Sequence, residues 1–177
     1  MFKALKYLAI ALAAVVLAVL AFAANKPDTF RVERHTAMKA PPAKIFPLIN
    51  DFHKWALWSP YEKLDKNLKR TYSGAEAGKG SVYEWEGNDN AGKGRMEIVE
   101  AAPTKVTIKL DFYKPFEAHN TAEFIMVPAG DSTEVTWAMG GPQPFIGKVM
   151  CLFFSMDTLV GKDFAEGLAT MKALAEK

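Results

Sequence analysis

The residue types in this chain that could do chemistry are three histidines, one cysteine, a pair of neighbouring glutamates and a glycine-rich run, and their spacing argues against each in turn. His35, His53 and His119 are separated by 18 and 66 residues, and none has a second ligand two or four positions away, the spacing that a helix or strand needs to hold a metal. Cys151 is the single cysteine. It excludes an internal disulfide and any multi-cysteine metal centre, and its apolar neighbours Met150 to Phe154 predict a core position rather than a nucleophile. Glu84 and Glu86 share one face of the strand predicted over Ser81–Glu86, as an acid/base pair would. Tyr83 and Trp85 occupy the other face, however, so the two carboxylates read as solvated. The run GNDNAGKG, residues 87–94, is not a phosphate loop, because no GxxxxGK[ST] sequence leads from a strand into a helix there; it reads as a hairpin turn. No GxSxG, Cys-His or Walker signature occurs. No metal and no cofactor is predicted.

Aromatic side chains remain, and they are numerous for a domain of about 150 residues. Trp55, Trp58 and Tyr61 lie in one segment, Tyr83 and Trp85 on one strand, and Phe112, Trp137 and Phe164 farther along; Tyr113, Phe145, Phe153 and Phe154 add to them. One account is a large aromatic core. The other is a strongly curved sheet under one helix that its own side chains do not fill, leaving an apolar pocket with a few polar tips. On that reading Trp55, Trp58, Tyr61, Tyr83, Trp85, Phe112, Trp137 and Phe164 are the expected ligand-binding residues. Tyr83, Tyr113, His119 and Arg34 are the polar groups available for acid/base work, and no pair among them has a diagnostic spacing.

The elements that must position these groups are legible in the period of the apolar residues. In APPAKIFPLINDFHKWALWSPY, residues 40–61, Pro41 and Pro42 suit a first helical turn, Ile45, Leu48, Ile49 and Phe52 form one apolar face, and Asp51 is placed to cap a second short helix. Phe30 to Met38 alternates, with Phe30, Val32 and Arg34 on one side. Arg70 to Ser73 and Ser81 to Glu86 follow as short strands. Met96 and Ile98, then Val106 to Phe112, then Ala122 to Met126, then Val135 to Met139 continue the alternation between turns at residues 101–104 and 128–131. This predicts an antiparallel meander of about six or seven strands with one apolar face. After the break at Gly140 to Pro144 the period becomes helical: Leu159, Val160, Phe164, Leu168, Met171 and Ala175 form a stripe, with Lys162, Asp163, Glu166, Lys172 and Glu176 on the other side. A long C-terminal helix near residues 150–175 is expected to cover the concave face of the sheet, giving an α+β fold.

The N-terminus differs from everything else. Tyr7 to Ala24 is an 18-residue run without a charge, close to the length that crosses the hydrocarbon core of a bilayer. Lys3 and Lys6 precede it, which places the N-terminus in the cytoplasm and the domain outside, held in the membrane. Ala21-Phe22-Ala23 also satisfies the small-x-small rule, so a cleaved signal peptide and a periplasmic or secreted domain is the competing reading. The expected division is residues 1–26 as anchor or signal and residues 27–177 as one domain, joined by the short linker Asn25 to Asp28. With 50% hydrophobic and 24% charged residues and a net charge of +2, the chain has the composition of one globular domain, and its scattered charges exclude a nucleic-acid partner.

A strand ending in Ala40-Pro41-Pro42 before a helix like Lys44–Asn50, followed by Trp55 and Trp58-Ser59-Pro60, resembles the START-like superfamily of polyketide cyclases, lipid-transfer domains and the major birch-pollen allergen, over roughly Phe30 to Lys177. The resemblance implies a helix-grip fold whose cavity, in relatives, commonly takes sterols, lipids or polyketides. Two functions from different classes follow: a binding or transfer module for a hydrophobic small molecule, which we favour, and a cyclase or dehydratase using cavity-lining polar residues. An interaction module resembling activators of heat-shock chaperones fits poorly with a domain outside the cytoplasm.

Overall fold

The structure, a computed structural model, describes residues 2–177. Seven antiparallel strands form one sheet: β1 Thr29–Met38, β2 Lys69–Gly74, β3 Ser81–Glu86, β4 Lys93–Ala102, β5 Lys105–Lys114, β6 Ala118–Ala129 and β7 Ser132–Pro142. Their order across the sheet is β1-β7-β6-β5-β4-β3-β2. Strands β2 to β7 are thus a meander of hairpins, and β1 closes its far edge against β7. Helix α1 spans Phe2–Ala24, α2 Pro42–Asn50, α3 Phe145–Met150 and α4 Met156–Ala175, and two short 3-10 turns, Phe52–Leu57 and Pro60–Lys63, follow α2. The expected α+β helix-grip architecture is what is observed.

Period-two alternation makes one face of every long strand apolar, and α4 lies across that face. Val32, Ile98, Ile108, Phe124 and Val135 point into the core from five strands and meet Phe164, Leu168 and Met171 from the helix. Asp51 caps the first 3-10 turn by accepting from the His53 N–H at 3.0 Å. Glycine at 167 lets α4 approach closely, since a Cβ there would stand 2.7 Å from Trp137 and 3.1 Å from Pro60. Arg34 ties β1 to the first turn of α4 through two bonds to Asp157, at 2.7 and 3.0 Å.

Two expectations for the C-terminal region are corrected. The helical period from Phe145 is not one helix: α3 ends at Met150, and α4 starts afresh at Met156, where the Ser155 hydroxyl accepts from the Thr158 N–H. Cys151 is also not core. It is half-buried in a segment whose Met150, Phe153 and Phe154 are all exposed, because the turn between the two helices carries this apolar run away from the sheet.

The register places every strand end. The start of β1, the end of β7, the start of β6, the end of β5, the start of β4 and the end of β3 lie side by side, as the pairs Thr29 with Pro142, Phe112 with Ala118, Lys93 with Lys114 and Glu86 with Lys93 show. Helix α1 joins the domain at this same end. Its Lys3–Ala24 stretch has the length and apolar composition to cross a membrane. The helix packs on α3, with Ala23 in its last turn fully buried.

Candidate functional site

Between the sheet and the N-terminal half of α4 lies a cavity of about 410 Å³. Its walls come from the strand ends just described. Met96 and Leu110 form the floor, Trp85 and Phe112 one side, Trp137 and Met139 the other, and Val160 and Phe164 the roof. The exposed part of the lining marks the mouth: Leu64 after the second 3-10 turn, the β3–β4 turn at Asn90, Lys114 at the end of β5 with Pro115 after it, and Leu159 on α4.

Seven of the eight expected ligand-binding residues line this space: Trp55, Tyr61, Tyr83, Trp85, Phe112, Trp137 and Phe164. Trp58 does not line it. It is fully buried behind the cavity, its indole N–H donating to the Leu48 carbonyl at 2.8 Å and its ring edge-on to Phe124 and Trp137. A 3-10 turn carries Trp55 and Trp58 onto neighbouring positions of one face, and the inner of the two becomes core. Trp137 and Phe164 stack nearly parallel at 4.2 Å and 9°, so the wall and roof are locked together. The Trp85 N–H donates to the Ala91 carbonyl at 2.9 Å, which fixes both the ring and the turn at the mouth.

The polar groups are distributed differently from the expectation. Of Tyr83, Tyr113, His119 and Arg34, only Tyr83 reaches the cavity. Tyr113 is exposed, and Arg34 is engaged by Asp157. His119 sits on the convex face, 2.7 Å from Asp111, and that carboxylate raises the imidazole above its ordinary value. Burial opposes ionisation of Asp111, but the hydrogen bonds from His119 and Lys109 outweigh it and hold the carboxyl low. The Tyr83 hydroxyl donates to Glu62 Oε1 at 2.7 Å while Arg70 Nε donates to Glu62 Oε2 at 2.6 Å. Burial first, then this carboxylate, pushes the Tyr83 phenol well up, so it is a neutral donor committed to Glu62.

Tyr61 and Asp163 face the cavity without a side-chain partner among the described residues, as do the buried Ser59 and, at the exposed rim, Asn90 and Lys114. Tyr61 is raised by burial and by the nearby Asp163 carboxylate, and Asp163 is itself raised by burial and then by Glu166. The expectation that Asp163 faces solvent is corrected, since it lines the cavity. The signal is present in the spacing: Asp163 stands three residues after Val160 and four before Gly167, on the apolar stripe itself. The phenol and the acid form one polar spot at the edge of a mainly apolar chamber. Glu84 and Glu86 are exposed on the other face of β3, as expected.

The sequence profile of the family described as polyketide cyclase / dehydrase and lipid transport matches residues 29–176. No curated protein sequence matches the chain. Many solved structures share the fold. Ginseng major latex-like protein 151 from Panax ginseng is 13% identical with a TM-score of 0.61, the match covering 85% of this chain and 100% of that one. Norcoclaurine synthase from Thalictrum flavum, solved in complex with dopamine and hydroxybenzaldehyde, is 13% identical with a TM-score of 0.60, covering 82% of this chain and 86% of that one. The Aha1 dimer from Colwellia psychrerythraea is 15% identical with a TM-score of 0.60, covering 83% and 96%. At such identities the likeness is one of fold.

Proposed function

Since the chain belongs to the polyketide cyclase / dehydrase and lipid transport family, we propose that it is a membrane-tethered module that binds or transfers a hydrophobic small molecule in the cavity under α4. One observation carries the reading: a chamber of about 410 Å³ walled by Met96, Leu110, Phe112, Trp85 and Trp137, of the size and apolar lining that small-molecule sites have. A protein that only needed a stable core would close this space, because unfilled apolar volume forfeits dispersion contacts. The ligand class is an apolar body, of lipid or polyketide kind, with one hydrogen-bonding group that meets Tyr61 and Asp163. Helix α1 supports the tether. A linker as short as Asn25 to Asp28 keeps the domain at the bilayer and raises the effective concentration of whatever dissolves there.

A second reading, cyclisation or dehydration of a polyketide-like chain, is favoured by Asp163, a carboxyl raised toward the protonated form beside an apolar chamber, as a general acid requires. The other carboxylate lining the chamber, Glu62, is taken up by the Tyr83 hydroxyl and Arg70, so binding stands first.

Native mass spectrometry of the full chain in detergent, after exposure to a membrane lipid extract, tests the proposal. The expected result is an apolar adduct on the wild type that is absent from Leu110→Trp, which fills the floor of the cavity. Wild-type protein with no adduct, and with tryptophan fluorescence indifferent to long-chain ligands, would sink it.

A further inference from the structure

The end of the sheet that carries the cavity mouth also carries a set of large apolar side chains left uncovered by the described residues. Phe116 in the β5–β6 turn is 74% exposed, Ile146 on α3 67%, and Phe153 and Phe154 in the α3–α4 turn 67% and 62%. Phe145 and Met150 are exposed beside them. Aromatic residues in this number are not needed to cover polar backbone, and a soluble surface rarely gathers them. Their placement has a cause in the topology: α3 and its turn follow β7, and the β5–β6 turn follows β5, so all of them project from the end where the strands meet α1.

Three observations bear on what covers this surface. Helix α1 packs on α3, with Ala23 in its last turn fully buried, so the exposed apolar side chains of α1 and of α3 are neighbours. Lys148 of α3 is buried and paired with Asp28 in the linker at 2.5 Å, while the Gln143 N–H donates to the Asp28 carbonyl at 2.7 Å; the linker is therefore fastened to the end of the sheet. Leu159, exposed on the first turns of α4, belongs both to this surface and to the mouth of the cavity.

We infer that this end of the domain lies in the lipid interface, with Phe116, Ile146, Phe153 and Phe154 seated at the boundary between headgroups and acyl chains and the cavity opening directly onto the bilayer. The inference rests on the proposed retention of α1 as a membrane span and adds to it a fixed orientation. A bare tether would let the mouth face water. Docked this way, an apolar ligand passes from the leaflet to Leu159 and into the chamber without crossing an aqueous layer.

The test uses the full chain in lipid nanodiscs of phosphatidylcholine and phosphatidylglycerol, one chain per disc, its retained α1 checked by intact mass. In a Cys151→Ser background, nitroxides are attached to Phe116→Cys, Phe153→Cys and, at the opposite end of the sheet, Asp131→Cys. At the first two positions collisions with oxygen should exceed those with a water-soluble nickel complex by about fivefold relative to Asp131→Cys, as interfacial burial demands. Equal water access at all three sites would overturn the docking. So would dipolar broadening between Phe153→Cys labels in detergent, which would assign the surface to a second copy of the chain. The double variant Phe153→Asp, Phe154→Asp, at exposed positions the fold does not use, should slow uptake of a labelled lipid from the discs about tenfold and leave the adduct formed in detergent intact. An adduct missing even from wild type, with the nitroxides in lipid, would refute the binding function and keep the orientation.

Discussion

Along β4, Ile98 is fully buried and Met96 is 7% exposed; along β5, Ile108 is fully buried and Leu110 is 8% exposed; along β7, Val135 is fully buried and Met139 is 6% exposed. The same three strands thus tighten toward one end and loosen toward the other. At the tight end Ile45 and Ile49 of α2, Phe52, Met126 and Met171 fill the space above the sheet. At the loose end α2 has no counterpart among the described residues, and only the side of α4 and the 3-10 turns stand over the strands. A cavity in this fold therefore needs no special residue. It follows from a sheet longer than the helices laid over its concave face, and the aromatics decide where filled gives way to empty, at the stack of Phe124, Trp137 and Phe164.

The largest effect that can test this division is at the stack itself. Phe164→Asp places a carboxylate against Trp137 in a fully buried position, at a cost of several kcal/mol, about 3–5. The domain should lose its cooperative thermal transition. An unchanged melting temperature would show that α4 does not grip the sheet.

A finer comparison uses one strand. Ile108→Ala and Leu110→Ala remove similar side chains two residues apart, on either side of the boundary. The first should cost about 3 kcal/mol, the second no more than about 1.5, because its site already borders empty volume. Urea unfolding of the two variants decides it; equal losses would mean that the chamber is closed by side-chain motion in solution. Ligand retention should respond in the opposite order, with Leu110→Ala altering the mass or number of adducts and Ile108→Ala leaving them as they are.

Much of this division can be read from residues, and the remainder shows what one-dimensional pattern omits. Alternation locates the long strands because each has one face in the core, so that Val106, Ile108 and Leu110 have to recur at every second position. Pattern alone does not tell a wall from a core. Trp55 and Trp58 have the same type and similar spacing, and Phe124 of β6 stands edge-on to both; only the closure of Trp137 of β7 over Trp58 separates them. The break at Ser155 is hidden by the apolar run Met150 to Phe154, which continues a helical period while facing away from the domain. Charge assigns Asp163 to the solvent, although its position places it on the buried stripe. In each case the side chain's type is plain in the sequence, and its neighbours are supplied by a distant part of the chain.

The smallest expected effect concerns that aspartate and sharpens the chemistry of the open end. Burial in the cavity wall, reinforced by Glu166, raises the carboxyl in the folded chain above its value in the unfolded one. The folded state then holds the proton to higher pH, and stability falls as pH rises through the window that begins near the ordinary aspartate value of 3.8 and ends at the raised one. Below that window both states are protonated and the penalty vanishes; above it the ionised group costs its full, modest amount. Asp163→Asn removes the penalty, so at neutral pH the variant should melt about 1–3 °C higher than wild type, and the advantage should disappear as pH is lowered past the window. Melting temperatures of both proteins between about pH 3 and pH 8 measure it. A constant difference across that range would mean that Asp163 is solvated in the folded protein. Turnover, and not ligand retention, separates the two functions on the same Asp163→Asn protein: both keep the apolar adduct, now with an amide at the polar spot, but a chamber that depends on a protonated acid loses its turnover.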